Sequence, residues 1–156
     1  VIVELTAADV AACADYARRR DGRHPLGTTR FGQGDDRSRQ DHHIGVLGEL
    51  AVARHYDLPW PTPDDVQSPY GDVGRLEVRA TTRTNGRLIL HGDDPPGRAY
   101  VLARVALLTN HCATVDLVGY YRPGWGLRAE WWEEHRYGGG CYYVPPRMLA
   151  SMLVAS

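Results

Sequence analysis

The order of apolar and polar positions divides the chain into a helical first third, a strand-rich middle and a mixed end. Thr6-Ala7-Ala8-Asp9 offers an N-cap with an acidic residue three positions on, and an alanine-rich stretch runs from there to Arg18-Arg19-Arg20, which predicts a first helix. Residues 21–38 are rich in Gly, Arg, Asp and Thr, lack apolar periodicity and read as a long loop. From Asp41 to Tyr56 the spacing is helical again. Ile44, Leu47, Ala51 and Arg54 share one side, with Gly45, Gly48, Glu49 and Val52 on an adjacent stripe, so the glutamate sits on a face of small residues. Pro59, Pro61 and Pro63 then impose an extended, irregular stretch that ends near Ser68-Pro69-Tyr70-Gly71-Asp72.

The period changes to two between Arg75 and Thr81: Leu76, Val78 and Ala80 point one way, Glu77, Arg79 and Thr81 the other. Further strands are expected over Arg87–His91, Tyr100–Leu107 and Thr114–Tyr121. The Asn-Gly, Asp-Asp-Pro-Pro-Gly and polar turns between them predict an antiparallel meander. Residues 129–136 read as a short helix, Gly138-Gly139-Gly140 as a break, Cys141–Val144 as a last strand and Pro146–Val154 as a closing helix. The expected fold class is α+β in one domain. An N-terminal helix and basic loop (1–40) precede a motif-bearing core (41–121) and a C-terminal part with helices and a short strand (122–156). A length of 156 residues can bury a core without staples.

Composition narrows the function classes. Charged residues at 24% and hydrophobic ones at 43% fit a folded globular chain and argue against disorder or a fibrous architecture. No apolar run approaches the ~18 residues that cross a bilayer, and Val1-Ile2-Val3-Glu4 lacks the pattern of a signal peptide, so a cytoplasmic protein without a membrane partner is expected. Cys13, Cys112 and Cys141 form no disulfide framework and no CxxC pair, and His111-Cys112 with Cys141 matches no regular zinc spacing; buried or half-buried thiols are expected.

The net charge of −1 excludes a generically basic nucleic-acid coat, yet charge is unevenly placed. Residues 16–40 hold seven arginines against three aspartates, whereas residues 57–77 hold Asp57, Asp64, Asp65, Asp72 and Glu77 against Arg75 alone. A basic arm beside an acidic pocket is one way to hold a polyanion near metal ions. All 18 basic residues are arginine, so a site that elsewhere uses lysine must here use arginine or do without.

Candidate chemistry falls on Glu49, Asp72, Glu77 and Arg79. Glu77 and Arg79 leave one face of a strand about 6.5–7 Å apart, and a bend at Gly74 would return the Asp72 carboxylate toward Glu77. Two converging carboxylates with an intervening backbone carbonyl make an oxygen-rich site suited to Mg²⁺. Gly45-Val46-Leu47-Gly48-Glu49 on a helix, then Gly71-Asp72, then Glu77-Val78-Arg79 followed by Thr81-Thr82, resembles the PD-(D/E)XK nuclease superfamily, in particular its small phage and prophage members with a degenerate motif. The likeness spans about residues 41–121, with a weaker echo through Gly124-Trp125 and Tyr142-Tyr143-Val144-Pro145.

The resemblance implies a restriction-endonuclease-like mixed central sheet flanked by helices and a nuclease that cuts DNA with Mg²⁺ or Mn²⁺, endonucleolytically rather than from ends. It implies Asp72, Glu77 and the Val78 carbonyl as metal ligands, with Glu49 near the metals and Arg79 at the phosphate. Arg79 stands where the family has lysine. A guanidinium neutralises phosphate but cannot accept a proton near neutral pH, which leaves open a second reading: a catalytically inactive nuclease-like module that binds nucleic acid or inhibits a host protein.

Taken singly, these residues have plainer readings: a solvated strand face for Glu77 and Arg79, a turn for Asp72, close helix packing for Gly45 and Gly48, and an ordinary surface position for Glu49. Their conjunction and order carry the resemblance. Arg37 and Arg39, with Arg18, Arg19, Arg20, Arg23 and Arg30, are candidate phosphate contacts or solvated composition. His42 and His43 open the glutamate helix as candidate phosphate or proton carriers, and Thr81 and Arg83 extend the active strand toward a substrate groove. Adjacent Trp131 and Trp132 cannot both face one core, so one of them is expected at a partner surface, with a homodimer as the candidate assembly.

Overall fold

Thr6 begins helix α1 (Ala7–Asp21) through the capping box that its sequence predicts: the Asp9 amide donates to Thr6 Oγ1 at 3.2 Å, and the Thr6 amide donates back to the Asp9 carboxylate at 2.8 Å. The computed structural model describes residues 1–21, 35–60, 72–136 and 138–153, with backbone alone at 21 and 35–39. Helix α2 (Asp35–His55) starts before the expected Asp41, inside the segment read as loop. Its middle, Val46 to Ala53, is buried all round because it lies between α1 and a sheet, a placement that one amphipathic stripe does not describe. Arg54 at its end donates to the Asp9 carboxylate through both terminal nitrogens, one at 2.8 Å, and His43 donates to the Val10 carbonyl at 3.3 Å; both clamp α2 to α1.

The Arg54 hydrogen bonds, with help from Thr6, hold the Asp9 carboxyl well below its ordinary value of 3.8, at about 2. A depressed carboxylate pKa stabilises the fold above the unfolded value, and this contribution is lost as pH falls through the folded one. Between about pH 5 and pH 2 the native protein is therefore expected to lose about 1–2 kcal/mol more stability than Asp9→Asn. Denaturant unfolding across that range checks this, and parallel profiles would refute the clamp.

The strands are β1 (Ile2–Leu5), β2 (Leu76–Thr81), β3 (Leu88–Leu90), β4 (Ala99–Leu107), β5 (Ala113–Tyr121), β6 (Trp132–Glu134) and β7 (Gly140–Val144). They make a four-stranded mixed sheet, β1-β5-β4-β2, and a three-stranded antiparallel sheet, β3-β7-β6. The class is α+β, as expected, but the strands are not a meander. β2 and β4 run parallel, because the chain between them crosses out of the first sheet to place β3 in the second. β1 was not expected at all; four residues are too few for a periodicity signal, and pairing with β5 is what orders them.

The larger sheet serves two cores. On one face Leu5, Val78, Val101, Ala103, Val115 and Leu117 pack with α1 and α2. On the other, Tyr100, Leu102 and Tyr121 pack with Leu88, Leu90 and Val144 of the small sheet and with Trp131. Helices thus cover one face of the central sheet, and a second sheet, not the expected helices, covers the other. A bulge at Val118 switches β5 between the cores: Leu102 faces Gly119 while Ala103 faces Leu117, so Leu117 and Tyr121, four apart, lie on opposite faces.

The C-terminal helices are corrected. Residues 129–131 form a single 3₁₀ turn that leads into β6, where Trp132 pairs with Tyr142 and the rings meet edge-on at 5.0 Å. Gly140 lies flush against the Trp132 ring; a Cβ there would come within 2.6 Å of it. The closing segment has only a 3₁₀ turn at Pro146–Met148 and then runs extended. Ala150 exchanges two backbone hydrogen bonds with Tyr120, Met152 fills the first core, and the Met152 carbonyl accepts from His55 and Tyr56. Trp131 is buried and Trp132 exposed, as adjacency required.

Cys13 and Cys141 are buried, Cys112 is half-buried and none of the three is in a disulfide. Burial, with the charges of Asp9 and Glu49, pushes the Cys13 thiol up to about 12, which makes it inert. Among the described residues no helix is long and apolar enough to cross a membrane.

Candidate active site

The free edge of β2 organises the site. β2 ends the sheet order, so among the described residues one of its edges has no neighbouring strand, and the chain before it folds back to meet that edge. Val73 and Leu76 exchange backbone hydrogen bonds at 3.1 and 2.9 Å around Gly74-Arg75, with Gly74 at φ +60°, where a side chain would be strained. This tight turn returns Asp72 as the sequence predicts: Asp72 Oδ2 accepts the Val78 amide at 2.8 Å. A strand residue's N–H and C=O leave on the same side, so the Val78 carbonyl shares the edge that Asp72 lies against.

Helix α2 supplies the third carboxylate. Gly48 brings the helix down on the sheet; a Cβ there would stand 3.1–3.2 Å from Val78, Ala80 and Ala103. Glu49, the next residue, is the one charged side chain among the buried described residues. Its carboxyl is pushed up to about 7 by burial and by the Asp72 charge, with Glu77 adding to the rise against the opposing pull of Arg20. Burial and Asp72 also raise Glu77 above its ordinary value. Each acid therefore lies in the field of the others, although they come from α2, a turn and β2. Gly45, expected to share the close packing, does not: a Cβ there meets nothing within 4 Å.

Arginines answer this negative charge. Arg20 Nη1 donates to Glu49 Oε1 at 3.1 Å from the last turn of α1, and Arg98 Nη1 donates to Glu77 Oε1 from the loop before β4. Arg79 makes neither contact. Its Nη2 donates to Asp94 Oδ1 at 3.2 Å, its guanidinium lies 5.3 Å over the Tyr100 ring, and its Nε is buried with no hydrogen-bond partner among the described residues. Asp94 is fixed in turn by the His91 amide at 2.8 Å.

The structure thus brings together Glu49, Asp72, Glu77 and the Val78 backbone, and sets Arg79 beside them with its fork turned to Asp94. Thr81 and Arg83 lie toward the other end of β2, about 13 Å along the strand from Glu77, where Thr81 Oγ1 accepts the Arg83 amide at 3.2 Å. His43 is engaged with α1, and His42 is exposed on α2. The side chains of Arg37 and Arg39, and Gly71, Asp64, Asp65 and Tyr137, lie outside the described residues. Sequence reasoning missed Arg98 and Asp94, which sit in an Asp-Asp-Pro-Pro-Gly-Arg stretch that signals only a turn. It took Arg20 as one of seven equivalent arginines.

Among the described residues no three His, Cys, Asp or Glu side chains stand close enough to cage an ion by themselves. The donors still suit a hard divalent cation of the Mg²⁺ type, which binds through one or two carboxylates and keeps waters and substrate oxygens as its other ligands. Asp72 and Glu77, with the Val78 carbonyl at the same edge, meet that requirement, and the mutual repulsion of the carboxylates is what a cation would relieve. No family model, curated protein or solved structure matches the chain.

Proposed function

We propose that this chain is a metal-dependent nuclease that hydrolyses phosphodiester bonds of DNA, acting within strands. The observation that carries the reading is Asp72, held on the Val78 amide, with Glu49 of α2 and Glu77 of β2 each in the field of its charge. A chance surface face gives no reason for one carboxylate to be buried on a helix within the field of two others, since burying a charge costs solvation and like charges raise that cost. Asp72, Glu77 and the Val78 carbonyl would hold Mg²⁺ or Mn²⁺, with Glu49 beside them. The bound ion supplies Lewis acidity at the phosphate and a water more acidic than bulk. Asp72 keeps its position through the Val78 amide, and Gly48 fixes the depth of Glu49. Hydrolysis joins the water oxygen to phosphorus, breaks one P–O bond and passes a proton from the water side to the leaving oxygen; Arg79 and Arg98, the cations on the Glu77 side, would neutralise the diester while this happens.

A second reading is favoured by the arginines themselves. Glu49 and Glu77 each already hold a guanidinium, and Arg79 is committed to Asp94 and Tyr100, as in a nuclease-like module that binds nucleic acid or a protein without cutting. Labelled linear, supercoiled, single-stranded and branched DNA, incubated with the protein in Mg²⁺, Mn²⁺ or EDTA, separates the two. Cutting in either metal and none in EDTA is expected. Intact DNA of every form with folded protein would transfer the assignment to the binding module. Millimolar Mg²⁺ is also expected to raise the melting temperature, because binding to the native state alone stabilises it by mass action.

A further inference from the structure

In both ion pairs of the site the arginine is the outer partner. The Arg20 side chain is 41% exposed over a Glu49 side chain that is 8% exposed, and Arg98 is 34% exposed over Glu77 at 15%. The two guanidiniums come from opposite sides in the chain, the end of α1 and the turn before β4, and stand between the carboxylates and solvent. The Arg98 amide is tied to the Pro95 carbonyl at 3.1 Å, which fixes the base of that side chain beside the start of β4. A guanidinium and a divalent cation compete for the same carboxylate oxygens, and a guanidinium released from a carboxylate is a bidentate phosphate ligand.

We infer that Arg20 and Arg98 are exchangeable counterions of this site, holding Glu49 and Glu77 when no metal is bound and moving onto the phosphates of DNA when it is. This rests on the proposed nuclease reading and deepens it: the arginine contacts make the site ready for metal, and the same two residues grip the diester. A role confined to folding predicts no such exchange. The distinguishing feature is that one substitution moves two affinities in opposite directions.

The test uses the full chain and Arg98→Gln, with Arg98→Lys and Arg20→Gln as companions. Mg²⁺ affinity is measured by calorimetry without DNA, and affinity for a labelled duplex by anisotropy across a salt series, once with Ca²⁺ as the hard divalent cation and once in EDTA. Arg98→Gln is expected to bind Mg²⁺ about five- to tenfold more tightly, since its competitor is gone, and, with Ca²⁺ present, to bind DNA several-fold more weakly with a salt slope smaller by about one unit, a difference that shrinks in EDTA, where Glu77 holds the native Arg98. Arg20→Gln is expected to show the same pair of changes. Arg98→Lys keeps the charge without the fork and is expected to retain the salt slope. Equal or weaker Mg²⁺ binding by Arg98→Gln and Arg20→Gln, with melting temperatures in EDTA like that of the native protein, would overturn the inference while leaving the nuclease reading intact. Should Arg98→Gln fail to fold, Arg20→Gln decides on the same criteria. A native protein that binds no Mg²⁺ and cuts nothing would overturn both.

Discussion

Glu77→Gln is expected to lower metal-dependent cleavage by at least about a thousandfold while leaving the melting temperature in EDTA nearly unchanged. Glutamine keeps the shape of the side chain and an acceptor for Arg98, so the ion pair becomes a neutral hydrogen bond and the strand is undisturbed. What it removes is one negative charge at the edge where the cation would sit, and a neutral amide is a poor ligand for a hard ion. Alanine at Asp72 is a worse probe, because it would leave the Val78 amide without its acceptor and mix a folding defect into the rate. Asp72→Asn retains an oxygen for that amide and is expected to lose activity to a similar degree. Cleavage rates under saturating Mg²⁺, with circular dichroism as the check on folding, test both. Turnover preserved in the two variants together would end the assignment of this edge as an active site.

Gly48→Val is expected to carry the largest cost in stability, about 2–3 kcal/mol, seen as a fall in melting temperature of roughly 5–10 °C. A Cβ at this position already stands 3.1–3.2 Å from Val78, Ala80 and Ala103, all on β2 and β4 under the helix, and two further methyl groups have nowhere to go. The helix must lift or tilt, and Glu49 lifts with it. Activity is therefore expected to fall even below the unfolding temperature. Gly45→Ala on the same helix is the control: its Cβ meets nothing within 4 Å, so it is expected to be neutral or to stabilise by about 0.5–1 kcal/mol. Unfolding curves of the two variants give the comparison. A Gly48→Val protein as stable as the native one would mean that α2 does not sit on the sheet at this depth.

These two positions also show how far local sequence could be read. Periodicity of two placed Leu76, Val78 and Ala80 toward the helices and Glu77 and Arg79 away from them, and the structure agrees, because alternation is a property of the strand backbone alone. The capping box at Thr6 and the return of Asp72 through Gly74 were legible for the same reason: each closes within a few residues. Gly45 and Gly48 looked equivalent in sequence and are not, since only contact with a distant strand separates them. The short helix expected over 129–136 failed because Trp132 found Tyr142 across a sheet, a partner that no local propensity reveals.

What the sequence determined by itself is therefore local: the two N-terminal helices, most of the strands, the Asp72 turn, and a chain in which arginine must do whatever lysine does elsewhere. Tertiary structure decided the rest. It made the β2–β4 pair parallel, laid a small sheet instead of helices over the second face, and used a bulge at Val118 to divide one strand between two cores. It also decided which arginine meets which acid: Arg98, 21 positions from Glu77, and Arg20, 29 positions from Glu49, while Arg79, two positions from Glu77 on the same strand, turned to Asp94. The physical reason is reach. Backbone periodicity and turns act over a handful of residues, whereas the pairing of buried charges is settled by the three-dimensional field of every element that packs around them.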